Sequence, residues 1–171
     1  MVAALCTMGG SALGDEPKGS FITKAPWPYP AEMSAGMATV VVDASFNITV
    51  TNPKGAHKHL HSTASRYTAS IKSARGAGCA GANETTAMRS GGGALSKCMV
   101  TVKDTTVPLG KGVDESYTLD VSTTSCTITA PTVWGAFHGM ESLAQLFGEN
   151  CTATGAPISI TDAPRFGFRG L

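Results

Sequence analysis

Residues able to do chemistry are sparse in this chain, and their spacings limit what that chemistry would be. His57 and His61 stand four apart at the start of a helical pattern, the interval that puts two imidazoles on one face for a metal. A zinc site of that kind needs a third ligand and a general base. The sequence supplies neither, so the histidines read as solvated and no metal or cofactor is expected. Asp114 and Glu115 are adjacent carboxylates on a strand pattern, where neighbours point to opposite faces. They cannot flank a scissile glycosidic bond, which calls for two carboxyls about 5–9 Å apart. His138, Glu141 and Ser142 share one helix without the strained turn that exposes a serine nucleophile. Residues 76–93 are rich in glycine but lack the G-x-x-x-x-G-K-[ST] spacing of a phosphate-binding loop, so a flexible surface insertion is expected. Arg165 and Arg169 remain as a basic pair suited to carboxylates at an interface. No catalytic residue is expected in this chain.

The elements that would carry these residues can be read from periodicity. Pro26-Trp27-Pro28-Tyr29-Pro30 fixes an extended start, because residues before proline avoid the helical region. Thr39–Val42 reads as one strand and Phe46–Thr51 as a second, with Asn47 on its wet face. A first helix is predicted from Ala56 to about Ser73 on Leu60, Ala64, Tyr67 and Ile71. Strands follow at Val100–Lys103, Tyr117–Val121, Ile128–Ala130 and Ile158–Ile160, with Ser122–Ser125 as a hairpin turn. From Thr132 to Phe147, Val133, Ala136, Phe137, Met140, Leu143, Ala144 and Phe147 make one apolar stripe, with Pro131 suited to the first turn and Gly148 to the C-terminal cap. Burying Phe137, Met140, Leu143 and Phe147 stabilises by roughly 1.5–3 kcal/mol each, making this helix the main core element. The expected fold is α+β, a sheet of about six mostly antiparallel strands with two helices packed on one face.

Gly135, Gly139, Ser142 and Leu146 fall together opposite that stripe. Each interior glycine costs about 1 kcal/mol relative to alanine, so the small face must serve close packing. Its partner is either the first helix or a second domain, with Trp134 at its flank.

Three blocks, D-E-S-Y-T-L at Asp114, V-W-G-A-F-H-G-M-E-S-L-A-Q-L-F at Val133 and D-A-P-R-F-G-F-R-G-L at Asp162, resemble the eukaryotic β-N-acetylhexosaminidases in the right order, with P-W-P-Y-P as a weaker upstream match. The resemblance implies a small N-terminal α+β domain over residues 26–164. Residues 165–171 would then open the first strand of a (β/α)₈ catalytic barrel, which is not in this chain. It also implies that the acid glutamate, its neighbouring aspartate and the substrate-binding arginine lie on that barrel. The aspartate orients the substrate's own 2-acetamido group for attack, one of the exceptions to two-carboxylate glycoside hydrolysis. The barrel is thus the implied partner, glycan is met only through the parent protein, and the resemblance tilts the docking candidates Trp134, Gly135, Gly139, Leu146, Arg165 and Arg169 toward it. A free-standing secreted glycan-binding or scaffold domain is the alternative; aromatic residues lining a groove would favour it, whereas aromatics at 6% weigh against it.

The 171 residues carry a net charge of +1 with scattered Lys and Arg, which gives no nucleic-acid footprint. No apolar run approaches the roughly 20 residues that span a bilayer. Residues 1–25 read as a signal peptide or disordered leader. Asn47, Asn83 and Asn150 head N-glycosylation sequons, which points to the secretory pathway, lysosomal or vacuolar or extracellular. Cys6 would leave with a leader; Cys79, Cys98, Cys126 and Cys151 form an even set that allows three pairings. Cys98 and Cys126 share phase with buried strand residues and read equally well as buried thiols.

Overall fold

A computed structural model describes residues 25–51, 57–73, 92–147 and 151–165. Its elements are β1 (Glu32–Thr51), α1 (Leu60–Ser73), β2 (Gly93–Asp104), β3 (Tyr117–Val121), β4 (Cys126–Thr132), α2 (Val133–Leu146) and β5 (Thr152–Asp162). The α+β class expected from the sequence is present, with a mixed sheet of five strands rather than about six mostly antiparallel ones. The two strands expected at Thr39–Val42 and Phe46–Thr51 are one continuous β1 of 20 residues. The register against β2 shifts between Val42 and Asn47, so the period breaks there while the strand continues.

β1 pairs with β2 in parallel and β2 with β4 in parallel, whereas β5 runs antiparallel to both β1 and β3, and β3 to β4. The pairings close on themselves in the order β1-β2-β4-β3-β5. The long β1 makes this closure possible, pairing with β5 from Glu32 to Val41 and with β2 from Val40 to Thr51. A parallel neighbour requires a crossover, and α1 supplies the one between β1 and β2. Alternation along a strand reports its two faces and not the direction of its neighbours, so the parallel pairs left no mark in the pattern.

The sidedness itself is as expected. Tyr117, Leu119 and Val121 on β3, Ile128 and Ala130 on β4, Val100 and Val102 on β2, and Ile158 and Ile160 on β5 are all buried. Thr118, Asp120, Thr129, Ser159 and Thr161 between them are exposed, so one sheet face is wet. Asn47 lies on that wet side. The hairpin turn closes as expected, with Ser122 N donating to Ser125 O at 2.8 Å. Cys98 and Cys126 sit opposite each other in the β2–β4 register and are joined by a disulfide. Cys151 is disulfide-bonded as well, and Cys79 lies outside the described residues.

The start of α2 differs from expectation in one respect. Pro131 belongs to β4, and Thr132 is the N-cap, with extended backbone and a hydroxyl that accepts from Gly135 N at 3.4 Å. The same hydroxyl donates to the Asp114 carbonyl at 2.6 Å, tying the helix start to the segment before β3. Gly148 lies outside the described residues.

The small face of α2 is the main correction. Gly135, Gly139, Ser142 and Leu146 are buried, and what they pack against is the sheet of this same chain. A Cβ on Gly135 would run into the Ser116 carbonyl oxygen, and one on Gly139 would come to 2.7 Å from the Ile128 Cγ2 atom and 3.2 Å from the Tyr117 ring. Gly135, Gly139 and Leu146 therefore do not form a docking surface for another domain. The stripe expected to hold the core is split: Val133, Ala136, Met140, Leu143 and Phe147 are buried, but Phe137 and Ala144 are half-buried on the outward side. Helix α2 is thus enclosed by sheet below and by α1 alongside, and only a narrow outward strip is left.

Candidate functional site: the outward strip of the second helix

Trp134, Phe137, His138, Glu141, Ala144 and Gln145 make up the strip, recurring at the three- and four-residue steps of one helix face. Its two ends differ in chemistry. At the N-terminal end the Trp134 and Phe137 rings meet edge-on with centroids 5.8 Å apart, and His57 packs against both at 5.9 and 6.4 Å. The Trp134 indole N–H donates to the Val107 carbonyl at 3.0 Å, which fixes the ring half-buried. Trp134 remains an expected docking residue, held in place by the loop before β3.

At the other end the groups are polar. Tyr67 of α1 donates its hydroxyl to Glu141 Oε2 at 2.6 Å, and Gln145 Nε2 donates to Glu141 Oε1 at 3.0 Å. The Gln145 amide oxygen in turn accepts from Trp27 N at 2.6 Å, so the segment before β1 is pinned to α2. The donors from Tyr67 and Gln145 hold the Glu141 carboxyl below its ordinary range, ionised at neutral pH. Burial first, and then that same carboxylate, push Tyr67 up to about 12, so it stays a neutral donor.

The polar end opens into a pocket of about 470 Å³, floored by Tyr117, Ser142, His138 and Glu141. Trp27, Pro28 and Tyr29 and the segment from Asp162 to Arg165 line it as well. Tyr117 and Ser142 share a buried hydroxyl–hydroxyl bond of 2.6 Å, and burial pushes Tyr117 up to about 12. Asp162 accepts from Ala31 N at 3.0 Å and from the Tyr117 hydroxyl at 3.5 Å.

The structure separates the titratable and hydroxyl groups that lie side by side in sequence. His138 Nε2 meets Glu115 Oε2 at 2.8 Å, Ser142 turns inward to Tyr117, and Glu141 turns toward α1. Asp114 accepts instead from the Ser116 amide and hydroxyl at 3.0 and 2.6 Å, which lower its pKa. His57 precedes the helix, which begins at Leu60 and not Ala56, so His57 and His61 do not share a helical face. Among the described residues no group of three His, Cys, Asp or Glu could hold a metal, and no helix is long and apolar enough to cross a membrane. Arg165 is exposed on the pocket wall, while Asn83, Asn150 and Arg169 lie outside the described residues. Trp27, Tyr29, Gln145 and Asp162 were not expected at a site. The signal available was P-W-P-Y-P, two aromatics among prolines; the segment bends at Trp27 and Pro28, joined by a cis peptide, and does not run extended as expected.

Comparison with known families places this arrangement. The family model described as "beta-acetyl hexosaminidase like" matches residues 26–146, the greater part of the chain. The chain belongs to this family. Beta-hexosaminidase 1 of Arabidopsis thaliana is 34% identical over 158 residues, covering 85% of this chain and 29% of that protein. A beta-hexosaminidase of Emericella nidulans is 46% identical over 77 residues, 42% of this chain and 13% of the relative. The chain thus spans less than a third of the length of these curated relatives. Among solved structures, a chitobiase from Flavobacterium johnsoniae superposes with a TM-score of 0.66 at 21% identity, over 87% of this chain and 22% of that one. An N-acetyl-beta-hexosaminidase from Streptomyces plicatus gives 0.50 at 20% identity, over 83% and 26%. At those identities the two structures establish the shared fold.

Proposed function

We propose that residues 26–164 are the non-catalytic N-terminal domain of a β-N-acetylhexosaminidase, an enzyme that removes terminal N-acetylglucosamine or N-acetylgalactosamine from glycans. The observation that carries this reading is the alignment of 85% of the chain with only 29% of the Arabidopsis thaliana relative. In this reading the chemistry belongs to a (β/α)₈ barrel that follows in the same polypeptide, and this domain's work is to support it. The outward strip of α2 is the surface offered to the barrel, because every other face of that helix is used within the chain. Sequencing the transcript past the codon for Leu171 tests the assignment. An in-frame continuation with an adjacent aspartate–glutamate pair is expected, and a stop codon there contradicts it.

The parent is proposed to be secreted or lysosomal/vacuolar, on the strength of a disulfide between Cys98 and Cys126 and an exposed sequon at Asn47. Expression in a eukaryotic secretory host should add glycan mass that peptide-N-glycosidase removes and that Asn47→Gln reduces. A product with no glycan and with free thiols at Cys98 and Cys126 removes the support for that compartment.

A second reading has a specific observation behind it. Trp27 is 83% exposed and Tyr29 44% exposed beside Glu141, Gln145 and Asp162, and an aromatic ring among polar groups is a surface on which a sugar can stack. That arrangement favours a free-standing secreted glycan-binding domain over an inert scaffold as the alternative.

A further inference from the structure

We propose that the pocket between Trp27, Glu141 and Asp162 is a socket for a cationic side chain, arginine above all, presented by the domain that follows in the polypeptide. The proposal rests on the domain assignment above and adds the chemistry of the contact.

Three observations converge on it. The first is charge. Glu141 and Asp162 are both on the pocket, and among the described residues every hydrogen bond to either comes from a neutral donor: Tyr67, Gln145, the Ala31 amide and Tyr117. A carboxylate has about four acceptor positions, so each retains capacity for a forked donor. The nearby cations favour the charge on Glu141 without pairing with it: Arg66 lies over the Tyr67 ring, His138 pairs with Glu115, and among the described residues Arg165 makes no ion pair with either carboxylate.

The second observation is shape. Trp27 and Tyr29 stand exposed at the mouth, and a planar guanidinium stacks on such rings while its edge forks to a carboxylate. A neutral sugar can stack on the same rings and donate hydroxyls to the carboxylates, but only a cation also gains from two negative charges. The third is position. Asp162 to Arg165, at the end of β5, line the pocket, and in the domain assignment above the barrel follows this segment, which favours a contact at high effective concentration.

The test uses the whole chain, ¹⁵N-labelled, at low ionic strength, with the indole N–H resonance of Trp27 as the reporter and that of Trp134 as the internal control. N-acetyl-arginine amide should shift the Trp27 signal with half-saturation on the order of millimolar, and added salt should weaken it. N-acetyl-citrulline amide, the neutral isostere, should leave the signal in place. Glu141→Gln and Asp162→Asn, which remove the charge and keep one acceptor oxygen each, should each raise the half-saturating concentration roughly three- to tenfold. No shift with the arginine probe, or equal shifts with arginine and citrulline, overturns the proposal. A response to N-acetylglucosamine alone overturns it in favour of a saccharide site, and a shift that depends only on protein concentration overturns it in favour of a second copy. The readout needs no downstream sequence and no enzyme activity, so failure here leaves the domain assignment standing. A stop codon after Leu171 removes the proposed partner while leaving the binding itself measurable.

Discussion

Replacing Gly135 by alanine lowers the stability of the chain by about 1–3 kcal/mol, even though alanine is the better helix former by about 1 kcal/mol. The two effects oppose each other, and the structure decides between them. A Cβ at Gly135 would fall against the Ser116 carbonyl oxygen, with the Glu115 carbonyl carbon at 3.1 Å. Those are backbone atoms of the segment entering β3, which cannot rotate aside as a side chain can. Nor can the helix move away, because Thr132 binds the Asp114 carbonyl on the same segment and Met140 and Leu143 are fully buried in the core. Urea denaturation read by circular dichroism measures the outcome: a lower midpoint with unchanged slope is expected, and an unchanged or higher midpoint contradicts the packing described. Gly139→Leu should be more damaging still, because its first new atom already crowds Ile128 and Tyr117.

Removing the Cys98–Cys126 disulfide by a Cys98→Ala, Cys126→Ala double substitution should cost roughly 2–4 kcal/mol, chiefly by releasing the unfolded chain from a closed loop. The two residues are 28 apart in sequence, and they are buried where β2 and β4 run side by side. The parallel β2–β4 pair has no tight turn to hold its register, so the loss should be felt at that pairing first. Hydrogen exchange of the amides of Val100 and Ile128 should accelerate more than that of Val41 and Ala153 in the β1–β5 pairing. Equal melting temperatures for the double variant and the parent chain contradict the assigned role.

Much of this architecture is legible in the sequence, and the missing parts have physical reasons. Tyr117, Leu119 and Val121 announce a strand with one wet face, because alternation responds directly to burial on one side. The fusion of two expected strands into β1 is not announced, since a register shift near Val42 interrupts the period without ending the strand. On α2 the sequence marks a small face and a large one, but smallness says only that something approaches closely. That the something is β3 and β4, rather than another domain, depends on tertiary placement that Gly135 and Gly139 cannot encode alone. The candidate site is legible least. Its walls come from residues 27–29, β3, α2 and the segment after β5, which meet only when the sheet closes. The resemblance located the domain in its family; it did not locate the pocket.

Hydrolysis of a chromogenic N-acetylglucosaminide, measured side by side for the purified chain and for the product of the same gene extended past Leu171, tests the central claim most directly. The account predicts no turnover by the chain and turnover by the extended product. Turnover by the chain that survives removal of contaminating enzymes, or an extended product that folds and stays inactive, contradicts it.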